Sequence, residues 1–161
     1  MLKKMNLSTV LILLALCFAL PTPGIASDNH DQLTEQGTLL PDNTIIIANE
    51  MDARFGQDFS LLLRQLRLEW IILDGTILPE FVWDKNLILL GHPDAAYTGE
   101  IIREILTAEE IEMLRTTTDR YVIIEKESPW VEGRTVTICS GANMLLTRNA
   151  AEEATRAIIA A

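Results

Sequence analysis

Five short apolar runs, closed by turn-forming residues and partly interleaved with stretches of helical period, constrain what this chain can fold into. Residues 44–48 read Thr-Ile-Ile-Ile-Ala, β-branched and apolar throughout, as expected of a central strand covered on both faces. Asn49 ends that run. Residues 68–73, 86–90, 120–125 and 135–139 read as four further strands. After the first strand, Phe55, Phe59, Leu62, Leu63 and Leu66 form a stripe of helical period that predicts a helix over 52–66. Tyr97, Ile101, Ile102, Ile105 and Leu106 predict a second, over 95–106. Thr107-Ala108-Glu109-Glu110 is a capping-box pattern and predicts a short helix over 108–115. A last helix runs through Ala150, Ala154, Ala157 and Ile158, with Asn149 or Thr147 as its cap.

Two connections complete the topology. Residues 77–85, punctuated by Pro79 and Asp84, predict a bend or one helical turn. Residues 126–134 hold no helix, so the fourth and fifth strands are expected to form an antiparallel hairpin. The order β-α-β-β-α-α-β-β-α implies an α/β fold. It is a three-layer sandwich around a mostly parallel sheet of about five strands, with an antiparallel edge hairpin.

The first 26 residues have a different character. Lys3 and Lys4 precede an apolar run from Leu7 to Leu20, which Pro21 and Pro23 break. Gly24-Ile25-Ala26 then offers small residues at −3 and −1 of a cleavage site, the layout of a secretory signal peptide. The apolar run of 14 residues is short for a bilayer span and typical of a leader, the alternative to cleavage being an uncleaved N-terminal anchor. Cleavage after Ala26 leaves one ordinary domain, placed outside the cytoplasm. Residues 27–43 are polar and acidic and read as a flexible lead, followed by a single α/β domain over 44–161.

The chain carries a formal charge of −10; the expected leader holds two lysines and no acid, so the remainder carries −12. That balance argues against nucleic acid, whose affinity rests largely on Lys and Arg contacts to phosphate, and against an anionic membrane surface after leader cleavage. Cys17 lies in the leader, which leaves Cys139 alone and excludes an intramolecular disulfide in the remainder. Cys139 ends an apolar strand and reads as an inert core thiol.

No P-loop, dinucleotide-binding or nucleophile-elbow motif occurs. With His30 and His92 the only histidines, no metal site is expected, and no cofactor is implied. The candidate positions are therefore loops at strand ends. Gly91-His92-Pro93-Asp94 follows a buried strand. Gly91 permits a sharp turn, a following helix N-terminus would offer free amides, and His92 and Asp94 would add a proton carrier and a carboxylate. The plainer alternative makes Asp94 a helix cap. Ser140-Gly141-Ala142-Asn143 is a second such turn, and these loops gather on one edge if the last strand runs parallel to its neighbours. Trp130, beside Pro129 in the hairpin loop, is either a partner contact or a cover over the sheet edge.

Residues 84–94, Asp-Lys-Asn-Leu-Ile-Leu-Leu-Gly-His-Pro-Asp, together with Thr135 to Gly141 and Thr155-Arg156-Ala157, resemble the archaeal S-layer protein family and related envelope modules. Those domains pair an apolar strand ending in Gly-Gly-Pro with a later strand and helix carrying Thr-Arg-Ala. His92 stands where the family tends to have a second glycine, and Ser140 replaces a small apolar residue. The resemblance implies a stand-alone envelope-associated domain and carries over no catalytic residue.

These features set two expectations. The first is a secreted, non-enzymatic module of the cell envelope or surface layer. It would bind an envelope protein or surface polymer through Gly91, His92, Pro93, Asp94, Trp130, Gly141 and Asn143. The alternative is an extracytoplasmic hydrolase or transferase using His92, Asp94 and Cys139.

Overall fold

Strands β1 (Thr44–Asn49) and β3 (Asn86–Leu90) are buried along their whole length, as their unbroken apolar runs require. The computed structural model describes residues 43–160. The expected signal peptide over 1–26 and the acidic lead, apart from Asn43, lie outside the described residues. Strand β2 (Glu69–Leu73) pairs parallel to β1 on one side, and β3 pairs parallel to β1 on the other. Beyond β3 lies β5 (Thr135–Ser140), also parallel, and β4 (Val122–Glu127) closes the sheet antiparallel to β5. The order is β2-β1-β3-β5-β4, a mostly parallel five-stranded sheet with the expected antiparallel pair at one edge.

Strand alternation sends successive side chains to opposite faces and so builds two cores. Ile45, Ile47, Leu87, Leu89, Val136 and Ile138 face one way. They meet Ile101 and Ile102 of α2 (Thr98–Ile105), Leu114 of α3 (Ala108–Thr116) and Val82 of a 3-10 turn (Glu80–Val82). Ile46, Ala48, Ile88, Leu90 and Cys139 face the other way. They meet Phe59 and Leu63 of α1 (Gln57–Gln65) and Ala150, Ala151 and Ala154 of α4 (Met144–Ala160). The alanines let α4 lie close on the sheet.

Three helix starts differ from expectation, each for a local reason. The helix predicted over 52–66 begins only at Gln57, because Asp52 is taken into a turn closed by Asn49. Phe55, outside the helix, still packs edge-on against Phe59 at 5.3 Å and Trp70 at 5.9 Å. The helix predicted over 95–106 begins at Thr98, after a tight turn at Tyr97. The last helix begins at Met144 and is capped by Asn143, whose Oδ1 accepts the Leu146 N–H at 3.0 Å, rather than by Thr147 or Asn149. The capping box is present as predicted: Thr107 Oγ1 accepts the Glu110 N–H and Glu110 accepts the Thr107 N–H. Among the described residues no helix is long and apolar enough to cross a membrane.

Candidate functional site

Because β1, β3 and β5 are adjacent and parallel, the loops leaving their carboxyl ends share one edge of the sheet. From β1 the chain turns back toward β2, and from β3 it runs toward β5, so the topological switch point lies between β1 and β3. The residues there are held chiefly by one another. Asn49 Nδ2 donates to Asp52 Oδ2 at 2.7 Å and to Thr98 Oγ1 at 3.2 Å, and all three residues are buried. Burial pushes the Asp52 carboxyl above its ordinary value, against the Asn49 hydrogen bond and the charge of His92, which both lower it.

Gly91 lies in this knot. Its φ is +155°, and a Cβ built there would stand 2.5 Å from Thr98 Oγ1. Only a residue without a side chain lets α2 approach the end of β3 so closely. Tyr97, with φ +61° and ψ −66°, forms a γ-turn in which the Thr98 N–H donates to the Ala96 carbonyl at 2.7 Å. That backbone conformation is strained for a residue with a side chain.

His92 and Asp94 are engaged elsewhere. His92 Nδ1 accepts the Asp94 N–H at 3.3 Å, which assigns the proton to Nε2, 3.3 Å from the Leu114 carbonyl. Asp94 does not cap a helix. Its exposed carboxylate takes Arg115 in a fork, with Arg115 Nη2 2.8 Å from Oδ1. The Arg115 hydrogen bonds hold Asp94 below the usual carboxylate range. Arg103 donates to the Pro93 carbonyl and fixes the loop from the helix side.

The β5 end is equally structural. The Cys139 thiol is fully buried on the α1–α4 face, and burial pushes its pKa up, away from thiolate chemistry. The Ser140 hydroxyl is buried and has no hydrogen-bond partner among the described residues. A Cβ on Gly141 would lie 2.4 Å from Leu146 Cβ, so the glycine lets the first turn of α4 fold back onto the strand end. The structure thus gathers Gly91, His92, Pro93, Asp94, Cys139, Gly141 and Asn143 at one edge. Among the described residues no cluster of three or more His, Cys, Asp or Glu is placed to hold a metal.

Trp130 stands apart from that edge. It is half-buried, packs against the α2–α3 core, and lines a cavity of about 200 Å³ with Leu78, Trp83, Ile101 and Glu104. None of the three cavities described is lined by His92, Asp94 or Cys139.

A surface that sequence reasoning missed runs along β2. Trp70 and Ile72 are 41% and 49% exposed, although they belong to an apolar run like that of β1. Beside the strand stands Phe81, 64% exposed. A groove of about 360 Å³ lies between Trp70 and Phe81, floored by Leu68 and Ile71. The other sheet edge is unlike it: β4 ends in Glu125-Lys126-Glu127, and Lys126 Nζ pairs with Glu110 Oε1 of α3 at 2.5 Å. Charges of that kind discourage strand pairing, and β2 has Glu69 alone. The signal present in the sequence was Glu69, a charge in the β2 run that the fully buried runs of β1 and β3 lack.

No protein-family model matches the chain, and neither a curated protein nor a solved structure matches it.

Proposed function

We propose that this protein is an extracytoplasmic, non-catalytic α/β module of the cell envelope that works by association through its β2 edge. The observation that carries the association is the apolar, uncharged stretch Trp70-Ile71-Ile72 at a sheet edge left unpaired among the described residues, with exposed Phe81 beside it. Monomeric soluble proteins protect such edges with charge, proline or a covering element. The envelope address is supported by the signal-peptide layout of residues 1–26 and by the resemblance of residues 84–94, 135–141 and 155–157 to S-layer-related modules.

A hydrolase or transferase at the strand-end loops draws less support. It needs His92 free to carry a proton and Asp94 free to assist. Both His92 ring nitrogens face backbone partners, Asp94 is tied to Arg115, and Cys139 is buried in the core. Fractionation of the source cells with N-terminal sequencing tests the proposal. An envelope or exported product beginning at Ser27 is expected. A soluble cytoplasmic product with Met1 intact overturns it.

A further inference from the structure

We infer that the occupant of the β2 edge is a second copy of this chain, paired antiparallel through β2 about a two-fold axis at Ile71. The inference deepens the reading of β2 as the associating edge and rests on it. The strand is complementary to itself. It is preceded by the exposed cation Arg67 and followed by the exposed anion Asp74. An antiparallel copy with that axis sets Arg67 of each chain opposite Gly75 of the other, one residue from its Asp74, whereas a parallel copy would set like charges together. With the axis at Ile71, Trp70 faces Ile72 of the second copy and Ile72 faces its Trp70, so two aromatic–β-branched pairs form on one face. Glu69 then faces Leu73 of the second copy and not its own counterpart.

Other registers satisfy less. Moving the axis to Glu69 sets the two Glu69 carboxylates against each other. Moving it by one residue breaks both Trp70–Ile72 pairs, setting Trp70 against its own counterpart when the axis is at Trp70 and against Asp74 when it is at Ile72. The groove beside β2, between Trp70 and Phe81, gives the incoming strand a walled seat. Isologous pairing of this kind joins two five-stranded sheets into one and satisfies the backbone groups that this edge leaves unpaired among the described residues.

The test is the oligomeric state of the purified full chain by sedimentation velocity at micromolar concentration. A dimer is expected. Ile72→Lys, at a half-exposed site, should weaken it by about tenfold or more and leave far-UV circular dichroism unchanged. If that variant fails to fold, Ile71→Cys in a Cys17→Ser background replaces it. Mild oxidation should link Ile71→Cys to its own counterpart as a reducible dimer, and Glu125→Cys on β4 should not link. A chain that stays monomeric, or a dimer indifferent to Ile72→Lys and not linked through Ile71→Cys, overturns the pairing. A monomeric chain whose envelope retention Ile72→Lys still abolishes overturns the self-pairing alone and leaves β2 as the associating edge. Retention also unchanged overturns both.

Discussion

Asn49 and Asp52 grip each other in both directions: the Asn49 amide donates to the Asp52 carboxylate at 2.7 Å, and the Asp52 N–H donates back to Asn49 Oδ1 at 2.9 Å. The pair closes the carboxyl end of β1, where an open α/β sheet would otherwise present a ligand crevice. Thr98 completes the knot from α2.

The pair has a pH signature. Burial raises the Asp52 carboxyl, so the folded chain holds that proton more tightly than the unfolded one. The cost of charging Asp52 is absent below the unfolded carboxyl value, grows as pH rises through it, and is complete above the folded value. Asp52→Asn keeps an acceptor for Asn49 and removes the charge. It should raise the melting temperature at neutral pH, with the gain vanishing in acid. Asp52→Ala, which leaves the buried Asn49 amide with Thr98 as its one side-chain acceptor, should instead cost about 1–3 kcal/mol in a urea titration.

Gly91→Ala should destabilise by about 2 kcal/mol or more, because the new methyl meets Thr98 Oγ1 at 2.5 Å. Adding Thr98→Ala removes that oxygen. The double variant should therefore be less damaged than the two single losses added together. Strict additivity would place the strain somewhere other than the Gly91–Thr98 approach.

Thr107→Ala should cost about 1 kcal/mol by removing one half of the capping box at the start of α3. Glu110 serves both that box and Lys126, and the Lys126 hydrogen bond holds its carboxyl below the usual range. Its contribution is present above the unfolded glutamate value and is lost as pH falls through the folded one. Lys126→Met should thus lower stability at neutral pH and matter less in strong acid, as read by chemical unfolding at the two pH values.

Trp130→Ala tests whether that side chain is a contact or a cover. Packed against the α2–α3 core and lining the cavity beside Trp83, it should cost about 2–3 kcal/mol of stability when truncated. An unchanged melting temperature would return Trp130 to the surface as a binding residue.

Much of the fold was legible because period alone separates strand from helix. The run Ile45-Ile46-Ile47 faces two cores, and its β-branched monotony says so. The hairpin followed from the lack of a helix between β4 and β5, and Thr107 with Glu110 named their own helix start. What the sequence hid is positional. Ile46 and Trp70 sit in runs of similar apolarity, yet one is central and the other lies at an edge. That difference arises from the strand order, which no single run encodes. Helix starts at Gln57 and Thr98 were displaced by side-chain and γ-turn hydrogen bonds that period does not report. Gly91, His92 and Asp94 were recognisable as a strand-end turn. Their partners, Thr98, Leu114 and Arg115, became identifiable only once α2 and α3 were packed.

The most direct measurement compares two variants of the full chain in its source cells for retention in the envelope fraction. Ile72→Lys alters the β2 edge, and His92→Ala alters the strand-end loops. Association through β2 predicts that Ile72→Lys releases the protein while His92→Ala stays bound. Release by His92→Ala, with Ile72→Lys retained and folded, would contradict the account.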